Sequence, residues 1–283
     1  MKKTLFFSVC TLLAWSIVLG GASPCAATAQ KNCPTLISEQ RGCVTGEGEQ
    51  IVTLYGTYPD KGLFAQDIRV IVTQAESGET VAEISPAENA GYLPAVLLAD
   101  FTGDGTKEIF LGIDSGGSGG FGFAYIYELS GGTAKEIFDF AKVPMPYTAQ
   151  YADGYRLTVS DNSASLMYSI DIRGRGEAYL GALYAEDGTL KAPVQADVSA
   201  VNTVLPFFMN TVNRFHLLVM RRVTGLYNAD SFGYTQDFMR WDGTQFITYF
   251  RLFGIYCKGK IRTTPLAASF WHLFAHLPCN TSV

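Results

Sequence analysis

The chain has 283 residues, 48% of them hydrophobic, and a formal net charge of −5. That length and apolar content exclude a disordered chain and leave room for one sizeable core or two small ones. The acidic balance argues against nucleic acid and anionic membrane as partners, because both carry the same sign of charge.

Met1-Lys-Lys3, the apolar run from Leu5 to Leu19 and the small residues ending in Ala27-Thr-Ala29 form the pattern of a secretory signal peptide with an Ala-x-Ala cleavage site. The run is short for a bilayer span, and Pro24 before Cys25 fits a lipobox poorly. Residues 1–29 are therefore read as a signal peptide, and export to the extracellular space or cell envelope is expected. Loss of Lys2 and Lys3 leaves a balance of about −7. Cys33, Cys43, Cys257 and Cys279 survive cleavage and are candidates for disulfides, with Cys33–Cys43 the local choice and free thiols the alternative.

Residues 30–50 are polar and Gly-rich and read as a loose lead-in. From residue 51 onward β signals recur. Ile68, Val70 and Val72 alternate with their neighbours, Glu76-Ser-Gly-Glu79 is a turn, and Val81–Ile84 returns. Phe121, Phe123, Tyr125 and Tyr127 share one face of a strand. Tyr151–Tyr155, Tyr184–Thr189 and Trp241–Phe246 each hold an Asp-Gly with an aromatic on the entering or leaving side, as hairpin tips do. No long amphipathic helix is expected between residues 50 and 250. This spacing predicts an all-β domain over 51–253, a propeller of about four or five blades or a β-sandwich.

The segment Asp100-Phe-Thr-Gly-Asp-Gly-Thr-Lys-Glu108 carries the most chemistry. Asp100, Thr102, Asp104 and Glu108 offer side-chain oxygens, Thr106 a backbone carbonyl, and Gly105 the sharp turn; hard cations such as calcium take six to eight oxygens. Ala95–Ala99 and Ile109–Ile113 flank it as β-favouring runs, so the loop joins two strands, unlike an EF-hand. A plain Asp-Gly hairpin is the alternative; the acids at 100 and 108 favour Ca2+.

The pattern Asp100-x-Thr-x-Asp-Gly-x-x-Glu108 resembles the calcium loop of FG-GAP repeats in integrin-alpha-type propellers and of bacterial VCBS-type repeat proteins. The run from Leu98 through Gly120 into Phe123–Tyr127, with Tyr227–Asp230, Gly233-Tyr-Thr-Gln and Trp241-Asp-Gly243, is similar to small secreted VCBS-repeat proteins of spore-forming, Gram-positive bacteria. The resemblance spans roughly residues 50 to 250 and implies a propeller with calcium. It also implies a second acidic loop, whose positions here fall on Phe208, Asn210, Val212, Asn213 and His216, without carboxylates.

Two other motifs invite chemistry. Gly116-Gly-Ser118-Gly-Gly120 matches Gly-x-Ser-x-Gly, but a nucleophile elbow needs a helix next, and Phe121–Leu129 reads as a strand. A packing or flexible loop is the better reading, one expected to line a site beside the calcium because Asp114 ends the strand leaving Glu108. His272 and His276, with Cys257 and Cys279, contain zinc-type ligands at no recognisable spacing. They belong to a divergent tail, 254–283, with Lys258, Lys260, Arg262, no acids and the apolar run Phe270–Leu277, expected to be dispensable to the fold. The expected function is non-catalytic binding of a protein or glycan ligand by a secreted calcium protein with no membrane span after signal removal. A secreted hydrolase acting on polysaccharide or peptide and a structural envelope protein are the rivals.

Overall fold

The computed structural model describes residues 33–59, 62–117 and 119–255. The chain is all-β, and its strands divide into two antiparallel eight-stranded sheets. The first holds β1 (Thr35–Gly42), β2 (Gln50–Thr57), β3 (Phe64–Gln74), β4 (Thr80–Ile84), β5 (Gly91–Ala99), β6 (Glu108–Asp114), β7 (Gly122–Ser130) and β8 (Thr133–Asp139). The second holds β9 (Tyr147–Ala152), β10 (Arg156–Asp161), β11 (Leu166–Asp171), β12 (Gln195–Val198), β13 (Thr203–Met209), β14 (Arg214–Thr224), β15 (Ser231–Trp241) and β16 (Phe246–Ile255). One seven-residue helix, α1 (Glu177–Leu183), follows β11.

The first sheet curls on itself. Its order is β1-β2-β3-β5-β6-β7-β8, with β4 beside β3. β3 is long enough to split one edge: Phe64 and Ala65 pair with β5, and Val70–Thr73 pair with β4. The side chain of Gln40 in β1 then bonds the backbone of β5, with Nε2 donating to Val96 O at 2.6 Å and Oε1 accepting from Leu98 N at 3.3 Å. The curl encloses a core of Val52, Leu54, Ile68, Val70, Val72, Ile109, Leu111, Tyr125 and their neighbours.

β6 and β7 are buried on both faces. Ile109, Leu111, Tyr125 and Tyr127 point into the curled core, while Phe110, Ala124 and Ile126 pack against Val204, Leu217, Val219 and Met239 of the second sheet. Strand side chains alternate between faces, so a strand between two cores must be apolar at nearly every position, and β6 is buried at five of seven, with Gly112 half-buried. A third core lies farther along the second sheet, where Tyr151, Leu157, Val159, Leu183 and Phe232 meet near α1.

The arrangement is compatible with a sandwich; four-stranded blades are not what the pairing forms. Residues 35–42 of the expected lead-in are β1, paired with β2 over its length. Its polar residues hide the strand from a periodicity reading. β16 runs to Ile255, so Gly254 and Ile255 belong to the second sheet rather than the tail. Tyr184–Thr189 is a turn closed by the Tyr184–Leu190 bridge, but it follows α1 and not a strand. Cys33 and Cys43 lie beyond opposite ends of β1, whose eight residues span roughly 25 Å at a strand's rise, which rules out a bond between them. The signal segment, Cys257, Cys279, His272, His276 and Ser118 lie outside the described residues.

The seam between the sheets centres on Phe101, which is fully buried. Its ring lies 5.7 Å from Phe215 and 6.3 Å from both Phe110 and Phe246. Replacing such an aromatic with alanine leaves a cavity and typically costs about 3–5 kcal/mol. Phe101→Ala should therefore lower the urea midpoint by that equivalent, and a loss under about 1 kcal/mol would show that the seam contributes little.

Candidate metal centre

The β5–β6 hairpin carries the acidic loop at one tip. Ala99 pairs with Glu108, and the nine-residue segment between and including Asp100 and Glu108 folds back on its own carboxylates. Asp100 Oδ1 accepts from Gly103 N at 2.5 Å and Oδ2 from Gly105 N at 3.0 Å. Asp104 Oδ1 accepts from Thr106 N at 2.7 Å. Glu108 Oε2 accepts from Phe101 N at 2.6 Å and Thr102 N at 3.2 Å, and its Oε1 from Thr102 Oγ1 at 3.0 Å. Gly103 and Gly105 sit at φ of 85° and 89°, a region that other side chains rarely adopt, so both glycines are needed for the bend.

Oxygens of Asp100, Asp104 and Glu108 lie within 4.8 Å of one another. The structure thus brings together the three predicted acids. Thr102 joins them through its hydroxyl on Glu108, and Thr106 through its N–H on Asp104. Three carboxylates of graded burial, with Asp104 exposed, Asp100 half-buried and Glu108 buried, form a hard oxygen donor set that suits a divalent cation. Asp100 Oδ1 and Oδ2, Asp104 Oδ1 and Glu108 Oε1 each accept one loop hydrogen bond and retain a second lone pair, whereas Glu108 Oε2 accepts two.

Burial pushes the Glu108 carboxyl up to about 7, and the Asp100 charge acts in the same direction. The hydrogen bonds from Phe101 and Thr102 oppose this and do not overcome it. A carboxyl raised this way favours a proton, and a cation at the same place supplies the missing positive charge.

Two contacts that the spacing of acids does not announce fix the loop to the second sheet. Phe215 N donates to Asp100 O at 2.7 Å, and Arg214 Nη1 donates to Thr102 O at 3.3 Å. Arg214 lies close enough that a Cβ on Gly103 would stand 3.2 Å from its Cδ. The only sequence signal for this anchoring was an apolar residue, Phe101, set between acids.

The glycine-rich loop does not line this centre. The antiparallel register places Tyr92 opposite Asp114, at the far end of the hairpin from Glu108 and roughly 20 Å away along β6. That loop instead meets Asn202, whose Nδ2 donates to Gly119 O at 3.0 Å and whose carbonyl accepts from Gly122 N at 2.7 Å. β7 follows it directly, so no helix stands where a nucleophile elbow needs one. Of the second-loop positions, Asn210, Val212 and Asn213 form the β13–β14 turn, and His216 is buried with Nδ1 3.0 Å from the Tyr249 hydroxyl.

The fold and the centre define a class: a two-sheet, all-β protein with an acidic hairpin loop pinned at the seam. Residues 145–253 match the family model described as the YybI C-terminal domain, a span that follows the second sheet from just before β9 into β16. A relative described as "Uncharacterized protein YybI", from Bacillus subtilis (strain 168), is 30% identical over 218 residues, covering 75% of this chain and 82% of its own length. The chain belongs to the YybI family. No solved structure matches it.

The sign of the pH effect follows from the raised carboxyl. Between its unfolded value, near 4.5, and about 7, folded Glu108 holds its proton more tightly than the unfolded chain does. Its contribution to stability is full below that window and is lost as pH rises through it. In chelator, the unfolding free energy should fall between pH about 4.5 and about 8, and Glu108→Gln should remove about 3 kcal/mol of that fall. Parallel pH profiles of wild type and variant would show that Glu108 is not the titrating group.

Proposed function

We propose that the chain is an exported, non-catalytic binding protein whose β5–β6 loop takes one calcium ion through Asp100, Asp104 and Glu108. The observation that carries this reading is the convergence of the three carboxylates within 4.8 Å. Thr102 completes the near side through its hydroxyl, and the Thr106 carbonyl is the further oxygen that the reading assigns. A bound cation of this kind neutralises the buried Glu108 and holds the loop in the shape that seats Phe101 in the seam. Its role here is structural.

The likeness of Asp100–Glu108 to FG-GAP and VCBS calcium loops supports the same reading at the level of the loop. Export rests on the Lys-Lys start, the apolar run and Ala27-Thr-Ala29. The ligand class assigned is a protein or glycan met outside the cytoplasm. Among the described residues no helix is long and apolar enough to cross a membrane.

Calcium that binds only the folded form stabilises it by mass action, about 2.7 kcal/mol at a hundredfold excess over Kd. Millimolar calcium should therefore raise the melting temperature of chelated protein by several degrees, and Asp104→Ala should abolish the rise. Identical melting in chelator and in calcium would remove the metal from the reading. N-terminal sequencing of the product released by the cell should begin near Gln30; an intact Met1 on a membrane-bound product would remove export.

A further inference from the structure

The charge of this chain is unevenly placed. Residues 33–139 carry sixteen acids against five basic residues, whereas residues 140–255 carry ten of each. Within β13–β16 the single acid is Asp237, which is buried on the inner face with Arg221 and within 3.4 Å of Arg251. Arg222 and Arg240 alternate with inward-facing residues and so lie on the outer face, as does His216.

That outer face is apolar between its arginines. Leu205, Phe250 and Leu252 are 37%, 52% and 41% exposed. Aromatic rings run across the strands: Phe207 meets His216 and Phe238, each at 5.7 Å, and Phe238 meets Phe250 at 5.6 Å. Arg240 stacks over Tyr249 at 5.6 Å, and Arg222 donates to Asn228 at 2.6 Å; neither is in an ion pair with a described residue. An exposed apolar strip of this kind on a folded surface marks an interaction site. Among the described residues β16 is also an edge strand, with no Lys, Glu or Pro, and its one charge, Arg251, turns inward to Asp161 at 3.1 Å. Edge strands without such guards tend to be covered.

The complementary surface is at one end of the first sheet. The β1–β2 and β3–β4 turns lie side by side, with Ala75 N donating to Glu49 O at 3.0 Å and Gln74 N to Glu79 O at 2.8 Å. Glu47, Glu49, Glu76 and Glu79 are all exposed there, and Arg41, 3.6 Å from Glu49, is an exposed partner to one of them. Two copies meeting face to face would set arginine against arginine, which like-charge repulsion disfavours.

We infer that the chain assembles head to tail, with the arginine-flanked aromatic face of β13–β16 receiving the acidic turns at 45–49 and 75–80 of another copy. The contact is heterologous, so a dimer keeps one free face and one free acidic end, and the assembly grows beyond it. It rests on different residues from the calcium reading and does not require it.

Sedimentation velocity of the full exported chain tests this at micromolar concentrations, in roughly 50 mM and roughly 500 mM salt. Species larger than a dimer are expected at low salt and should recede at high salt. Arg240→Glu alone, and Glu76→Lys with Glu79→Lys, should each raise the concentration needed for assembly by about tenfold or more. Mixed in equal amounts, the two variants should assemble again, because the unaltered face of one meets the unaltered acidic end of the other and the two charge-reversed surfaces are also complementary. If Arg240→Glu does not fold, Phe250→Ser at its half-exposed position replaces it. A wild type that stays monomeric, whether its face is empty, covered by residues 256–283 or taken by an added acidic polymer, overturns the proposal. So does an acidic-end variant that assembles like wild type, or a mixture that stays monomeric.

Discussion

Phe101 follows the first acid of the loop by one residue, and its burial couples the two halves of the molecule. Its ring fills the space between β6 and the second sheet, while its N–H donates to Glu108. The carbonyl just before it accepts from Phe215, and the one just after it from Arg214. The loop cannot shift without disturbing either the seam or the carboxylates. This explains how a short, glycine-bearing turn keeps three acids together: its backbone is held from both sheets, which fixes the oxygens in place.

A second constraint lies between the inter-sheet core and the core near α1. Arg221 and Asp237 are almost fully buried and 2.8 Å apart. Tyr147 donates to Asp237, and Arg251 connects that carboxylate to Asp161. A buried pair of this kind adds little net stability over an apolar replacement, but losing one member leaves a charge stranded. Its clearer effect is positional. Arg221 also donates to the carbonyls of Val143 at 3.3 Å and Pro144 at 2.7 Å, which ties the linker leaving β8 to the inner face of the second sheet.

Much of the local structure was legible in the residues. The alternation at Ile68–Val72, the turn at Glu76–Glu79 and the Asp-Gly tips at 153–154 and 242–243 all became strands and hairpins, because side-chain period and turn chemistry are local properties. The convergence of Asp100, Asp104 and Glu108 was legible for the same reason, since a loop this short leaves the acids few places to go. What stayed hidden depends on distant pairing. β1 carries Ser38, Glu39, Gln40 and Arg41 and shows no apolar period, so its partner and not its composition makes it a strand. The division into two large sheets is set by which strands pair, which no spacing of turns encodes. The glycine loop fell at the wrong end of its hairpin because strand polarity, not nearness in sequence to Glu108, decides which loops are neighbours.

The bridge from Gln40 to β5 bears on the order in which the protein can form. Its partners, Val96 and Leu98, lie 56 and 58 residues downstream. Hairpins such as β1–β2 can close as soon as their turns exist, but the curl cannot lock until β5 has been made and has reached β1. For a chain delivered amino terminus first, the earliest strands stay an open ribbon with a bare edge over that whole interval. Closing a loop of such length costs more entropy than closing a hairpin, so the curl closes after the hairpins that build it. A single amide side chain, placed where a backbone ladder would otherwise continue, thereby joins the first strand of the curl to one made much later.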